Sequence, residues 1–329
     1  MVKPGETMTD QGHALVYSAP GEARIETVEL PPLRPGMVEV ETLYSGLSRG
    51  TERLVFRGMV PKDEWSRMRA PLQVGDFPFP VRYGYSTVGR VTAGDNTGQT
   101  VFCLHPHQTR FRADHAWAVP VPAEVPPERA ILAANMETAL NALWDAAPRP
   151  GERCLVVGAG MVGWLITCLL SARSDLSVVL TDVVSETGAV ANDLNVTFVT
   201  PDNVPDGRFD IAFHCSAAEA GLQAAIDSLG FEGRLIELSW YGDRPVQVHL
   251  GGNFHANRLR IISSQVGHVA PSRRASTPHR RRLELALAAL TDDRLDRLIT
   301  GETHFRDLPA ALPALLSDGA PGIATRIVY

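Results

Sequence analysis

The sequence predicts an α/β protein in two parts, a β-rich first half followed by a doubly wound parallel sheet. Three observations carry that expectation. Up to about residue 150, short β-branched runs are broken by turn-forming Pro and Gly. Beyond Pro150, apolar strand-like runs alternate with helical stretches, as in a parallel sheet covered on both faces. Gly158-Ala159-Gly160-Met161-Val162-Gly163 then stands at the first strand-to-helix junction of the second part. A chain of 329 residues is long enough for two domains.

In the first part, HALVYSA, RIETVEL, MVEVETLYSG, YSTVGRVTAG, QTVFCLH and HAWAVPVP read as strands of an irregular barrel or sandwich. The one stretch there with helical period runs from about Glu128 to Ala147 and leads outward. RCLVVGAG, a helix from Met161 to about Arg173, LSVVLTD, a helix near Ser185 to Leu194 and VTFVT form half of a nucleotide-type sheet. FDIAFHCS, a helix from Glu219 to Leu229, GRLIELS and LRIISSQ supply the other half. Right-handed crossovers make the doubly wound order the default. RRRLELALAALTDDRLDRLI and DLPAALPALLSDG read as helices and IATRIVY as a closing strand. The expected division is 1–135, completed by about 295–329, and 136–294.

Composition removes several classes of function. With 31 basic and 37 acidic residues the net charge is −6, so no positive field exists to hold nucleic acid. Cys103, Cys154, Cys168 and Cys215 are scattered with no C-x-x-C pair, which excludes a cysteine zinc lobe or a disulfide framework. They read as small buried hydrophobes of a reducing cytoplasm. The uncharged run Cys154 to Ala172 approaches membrane-spanning length, but its glycines split it into a strand and a buried helix. The N-terminal MVKPGETMTDQGHALV lacks the apolar core of a signal peptide.

The glycine pattern has a physical reading in its strand–helix context. Gly158 permits the tight turn, Gly160 lets a pyrophosphate approach the backbone, and Gly163 lets helix and strand pack closely. The helix amino end offers N–H groups and a positive dipole to phosphates. Asp182 closes the second strand, 19 residues beyond Gly163, where a carboxylate accepts from both ribose hydroxyls. It would repel a 2′-phosphate, and Val183-Val184-Ser185 supplies no Arg. The expected cofactor is therefore NAD rather than NADP, with Thr138, Met161, Val162 and Ser216 completing its contacts. Helix-packing glycines and a surface Asp are the bland alternative.

A β-rich first domain, a nucleotide domain starting near residue 150 and a short return segment resemble the medium-chain dehydrogenase/reductase superfamily over essentially the whole chain. Ser45-Gly46-Leu47-Ser48-Arg49-Gly50-Thr51-Glu52 is similar to that family's C-G-x-C-G-T-D segment, and Gly84-Tyr85-Ser86-Thr87-Val88-Gly89-Arg90-Val91 to its G-H-E-x-x-G-x-V. The nearest branch includes bacteriochlorophyllide dehydrogenase, with S-x-G-T-E and G-Y-x-x-V-G-R-V. The resemblance implies a GroES-like β-rich catalytic domain joined to a Rossmann domain, a small-molecule substrate and homodimerisation through edge strands of the nucleotide domain.

The family's zinc ligands fall at Ser48, Tyr85, Ser86 and Ala134 on this alignment. Zinc prefers thiolate, imidazole and carboxylate, so the metal is not expected and no residue is assigned to it. His105 and His107 form H-x-H near Glu137; an extended strand would put both imidazoles on one face for a metal, whereas Pro106 would break it. Without a Lewis acid, positioned donors and a titratable group must serve the substrate oxygen. The candidates are Ser48, Thr51, Tyr85, His107 and Glu137. Tyr85 would donate to a carbonyl being reduced, or act as a base if its pKa fell; His107 would relay the proton; Thr51 would fix the nicotinamide ribose. Their bland rivals are a filled cavity for Tyr85, a capped turn for Ser48 and an Arg partner for Glu137.

Three further features stand open. Arg49 and Glu52 pair within their loop or touch substrate. Arg273, Arg274, Arg280, Arg281 and Arg282 with His279 grip an anionic substrate or form a solvated helix start. The segment Val55 to Phe79 is a lid or packs on the barrel. The expected function is NAD(H)-dependent, zinc-independent hydride transfer with a secondary alcohol or ketone. The alternatives are a zinc-independent NADPH quinone or enone reductase and a catalytically silent dinucleotide-binding protein.

Overall fold

The computed structural model describes residues 10–205 and 207–329; the N-terminal residues 1–9, which carry most of the segment read for a signal peptide, lie outside it. The chain divides into two compact units. One holds residues up to Val121 with Thr303–Asp318 and Ile327–Tyr329; the other holds Pro122–Glu302 and Gly319–Arg326.

The first unit is built from β1 (Gln11–Ala19), β2 (Glu22–Glu29), β3 (Met37–Leu47), the short helix α1 (Arg49–Phe56), β4 (Val74–Gly75), β5 (Val81–Arg82), β6 (Thr87–Gly94), β7 (Thr100–Cys103), β8 (Arg110–Asp114) and β9 (Val119–Pro120). Among the described residues one sheet runs β2-β1-β5-β4. In the other, β3 lies antiparallel to β6 and, along its first residues, to β8, with β7 and β9 following β6. Alternation puts Val38, Val40, Val91, Val101, Phe111 and Ala113 into one apolar cluster. The closing strand Ala324–Val328 runs beside β3, and the Tyr329 amide donates to Leu43 O.

Two expectations change here. HAWAVPVP is not one strand: Asp114 Oδ1 accepts from the Ala116 amide at 2.8 Å, which turns His115–Trp117 into a 3-10 turn before β9. The HPHQ segment is not extended either, because β7 stops at Cys103. Pro106 has no amide for a ladder, and both His105 and His107 are buried.

The second unit opens with α2 (Pro127–Ala130) and α3 (Ala133–Ala146), where a single helix was expected. It continues through β10 (Arg153–Val157), α4 (Met161–Ser171), β11 (Ser177–Thr181), β12 (Thr197–Val199), β13 (Phe209–His214), α5 (Glu219–Ser228), β14 (Leu229–Glu237), β15 (Arg260–Ser263) and α6 (His279–Ala288). Among the described residues the strand order is β12-β11-β10-β13-β14-β15, all parallel. This is the doubly wound order, with the switch between β10 and β13. Leu155, Val157, Val179, Phe209, Ala212, Leu222, Ile226 and Leu235 pack on one side of it. The helix expected near Ser185 to Leu194 is instead a 3-10 turn over Ser185–Val190, tied by i to i+3 bonds from Thr187 to Val184 O and from Ala191 to Gly188 O. The charged tail after α6 also breaks into 3-10 turns. No helix among the described residues is long and apolar enough to cross a membrane.

Candidate active site and dinucleotide cradle

In the first unit, β3 delivers Ser45 and the N-cap Ser48, α1 delivers Thr51 and Glu52, and the turn before β6 delivers Tyr85. The Tyr85 phenol donates to Ser48 Oγ at 2.5 Å, and the Thr51 hydroxyl also hydrogen-bonds it. Burial pushes the phenol up to about 12, against the lowering effect of these two hydroxyls. Near neutral pH Tyr85 is therefore a protonated donor, and the shift runs opposite to what a base would need. The ring packs edge-on against Tyr83 at 5.9 Å between centroids, and Tyr83 meets Phe77 from the Val55 to Phe79 segment.

Behind this hydroxyl cluster runs a buried chain of polar groups. Glu52 Oε1 accepts from the Ser48 amide at 2.7 Å; its Oε2 accepts from the Tyr17 phenol at 2.7 Å and lies 2.9 Å from His107 Nε2. His107 Nδ1 is 2.8 Å from Ser45 Oγ, which meets the Tyr329 hydroxyl at 2.9 Å. Glu52 and His107 are fully buried, so each polar atom must find its partner inside the protein. Gly84, at φ +115°, makes room: a Cβ there would sit 2.9 Å from the His107 ring. This arrangement corrects two expectations. Glu52 points inward to Tyr17 and His107 rather than across its loop to Arg49. His107 has both nitrogens engaged and reaches Ser48 only through a carboxylate holding a backbone amide, which carries no transferable proton. A proton relay from His107 to Tyr85 is therefore not continuous. Glu52 is the residue sequence reasoning undervalued; its acidic side chain on a buried helix face was the available signal.

These donors do not suit zinc. Ser48 and Tyr85 are bonded to each other, His107 is occupied, and His105 stacks on Phe111 at 3.8 Å with Nδ1 2.9 Å from Pro106 O. Among the described residues no group of three or more His, Cys, Asp or Glu is arranged to hold a metal ion.

In the second unit, the three glycines are explained by space. At Gly158 (φ +107°) a Cβ would lie 2.7 Å from the Ser216 amide, and at Gly163 it would lie 1.9 Å from Gly158 O. At Gly160, the N-cap of α4, it would meet nothing within 4 Å. That open side lies against the amino end of an eleven-residue helix whose first amides have no intrahelical acceptor. Asp182 follows β11, with Oδ2 accepting from the Ala159 amide at 2.6 Å and Oδ1 from Val184 at 2.9 Å. The carboxylate retains acceptor capacity for hydroxyls, Val183 beyond it is 82% exposed, and the buried Thr181 Oγ1 has no partner. The cradle fits a dinucleotide.

Glu137 and Thr138 lie on α3. Glu137 Oε1 accepts from Arg282 Nε at 2.9 Å with both side chains buried, so it is committed to the Arg partner. Arg282 also donates to Asn141 Oδ1 and Val266 O. The arginine cluster is thus neither a single grip nor wholly solvated: Arg282 is interior, Arg280 and Arg281 pair with Glu284, and Arg273 lies over Trp144. Thr138 Oγ1 donates back to Ala134 O within its own helix. Ser216, after β13, stands against Gly158 and bonds His214.

No family model matches the chain. The (R,R)-butanediol dehydrogenase of Bacillus subtilis is 21% identical over 274 residues, 69% of this chain and 77% of that protein. The 2-desacetyl-2-hydroxyethyl bacteriochlorophyllide A dehydrogenase of Cereibacter sphaeroides is 32% identical over 89 residues, 26% of this chain and 24% of that protein. Among solved structures, a short chain alcohol dehydrogenase from Escherichia coli CFT073 with NADH has 15% identity and a TM-score of 0.76, covering 97% of this chain and all of that one. A protein from Sinorhizobium meliloti 1021 bound to NADP matches with 15% identity and a TM-score of 0.76, over 97% and 99% of the two chains.

A β-rich unit and a doubly wound sheet with a glycine-lined helix end make up the fold seen in nicotinamide-dependent dehydrogenases. In sequence and in fold the chain is similar to alcohol dehydrogenases of the medium-chain dehydrogenase/reductase type.

Proposed function

We propose that this enzyme catalyses NAD(H)-dependent hydride transfer with a secondary alcohol or ketone and does so without zinc. The observation that carries the reading is the Tyr85–Ser48–Thr51 hydroxyl cluster, which stands at the aligned positions of two zinc ligands. A nicotinamide cofactor, when bound, supplies or accepts the hydride. Tyr85, kept protonated by burial, turns its O–H from Ser48 Oγ to the carbonyl oxygen and stabilises charge developing there. An alkoxide is a far stronger base than a phenolate, so the proton passes from Tyr85 as the alcohol forms. Ser48 and Thr51 hold the phenolate oxygen, and Glu52 with His107 fixes the Ser48 backbone.

Asp182, with no arginine in the residues that follow, supports NAD over NADP. Glu137 enters the reading as a support of α3 through Arg282 rather than as a proton carrier. The free cysteines support a reducing, cytoplasmic setting. The exposed Phe231 of β14 and Ile261 of β15 support a homodimer along that sheet edge.

The test compares the parent enzyme with Tyr85→Phe, using NADH and NADPH against ketones, secondary alcohols, enones and quinones, with elemental analysis of the protein. We expect NADH-linked ketone reduction, no stoichiometric zinc and a kcat loss of about a hundredfold or more in Tyr85→Phe, the usual worth of a general acid. NADPH-linked turnover of enones or quinones alone would assign the other enzyme class. Cofactor binding without any turnover would make the chain a silent dinucleotide-binding protein.

A further inference from the structure

Ser216, expected among the cofactor contacts, also belongs to a constellation whose own chemistry hydride transfer does not require. Between β13 and α5 the chain makes a sharp turn carrying Ser216, whose residue is exposed, while His214 at the strand end is fully buried. Ser216 Oγ lies 2.7 Å from His214 Nε2. On the far side of the ring, Nδ1 lies 2.8 Å from Glu237 Oε2 and 3.0 Å from Oε1, a pairing fixed by the register of His214 with Glu237 in the parallel sheet. A carboxylate at Nδ1 selects the tautomer protonated there and leaves the Nε2 lone pair facing the serine. Glu237 is itself held, accepting from the Ser239 amide at 2.7 Å and from the Tyr241 hydroxyl at 3.3 Å.

The surroundings are shaped around the serine. Ala217 sits at φ +52°, a conformation that costs a residue with a Cβ. Gly221 in the first turn of α5 lacks the side chain that would collide: a Cβ there would be 2.5 Å from Ser216 Oγ and 3.1 Å from His214 Nε2. That turn brings amides without intrahelical acceptors to the same place, and no side chain caps them.

We propose that Ser216, His214 and Glu237 form a second reactive site, a nucleophilic serine that accepts acyl groups from small, unhindered carboxylic esters. Ser216 Oγ attacks the carbonyl carbon while its proton moves to His214 Nε2. The oxyanion faces the first-turn amides of α5, the alkoxide departs with the proton from His214, and water then cleaves the acyl-serine to release the acid. No redox partner takes part in these steps.

The experiment treats the parent protein with a fluorophosphonate and maps the adduct by mass spectrometry. The serine oxygen–phosphorus bond forms, the phosphorus–fluorine bond breaks, fluoride leaves and His214 takes the proton. We expect one adduct per chain, on Ser216, and a one-equivalent burst of nitrophenol from p-nitrophenyl acetate. Ser216→Ala abolishes both, and His214→Asn slows labelling about a hundredfold or more, the usual worth of a general base. A parent protein that stays unlabelled, or labels elsewhere, overturns the proposal without any variant having to fold. So does labelling of Ser216 at the parent rate in both His214→Asn and Glu237→Gln, each checked for folding by thermal melting.

Discussion

Replacing Glu137 by leucine separates a supporting role from a catalytic one. The Glu137 and Arg282 side chains are 6% and 2% exposed and meet at 2.9 Å, so the substitution strands a buried guanidinium. Removing one partner of a buried ion pair costs about 3–5 kcal/mol. Arg282 keeps Asn141 Oδ1 at 2.7 Å and the carbonyl oxygens of Val266 and His268. These surviving acceptors place the loss at the low end, about 3 kcal/mol. In a folding unit of roughly 190 residues, the size of the second unit, each kcal/mol lowers Tm by about 2–4 °C, so the expected drop is about 6–12 °C. Calorimetry gives that shift, and NADH-linked turnover measured well below Tm stays at the parent level. Glu137→Leu/Arg282→Met recovers much of the lost stability, since no unpaired charge remains. An unchanged Tm together with lost turnover would refute the reasoning and return Glu137 to the reacting groups.

Acid stability has one identifiable source in His105. Burial between Phe111 and the surrounding core lowers its imidazole to about 4, so the folded state holds it neutral. A depressed folded value gives stability that is present above the unfolded pKa of about 6.5 and lost as pH falls from there to about 4, about 3 kcal/mol in all. His105→Gln should flatten denaturant midpoints across that window, and a slope identical to the parent's would exclude His105 as the cause. Gly163→Ala would press a Cβ against Gly158 O at 1.9 Å, a backbone atom that can yield only by moving the cradle loop. Overpacking of about 1–3 kcal/mol should weaken NADH binding roughly tenfold to a hundredfold, and unchanged affinity by fluorescence titration would show that the loop does not hold the cofactor.

The sequence alone determined what short-range physics controls. Glycine positions in 158–163 are legible because a turn at φ +107° and a 1.9 Å approach exclude any side chain locally. Strand runs in the second half are legible because a strand buried on both faces is apolar throughout. The same locality explains the failures: Ser185–Val190 has helical period, yet Gly188 lies against the Phe198 ring and the segment tightens into a 3-10 turn. Only the tertiary structure decided how the polar side chains pair. His107 meets Glu52 across 55 positions and Glu137 meets Arg282 across 145, distances over which no periodic pattern specifies a partner. His214 and Ser216 are sequence neighbours, but their meaning comes from Glu237, which the parallel register brings alongside. Partner choice follows from burial, because a polar group removed from water must bond whatever the completed fold sets beside it.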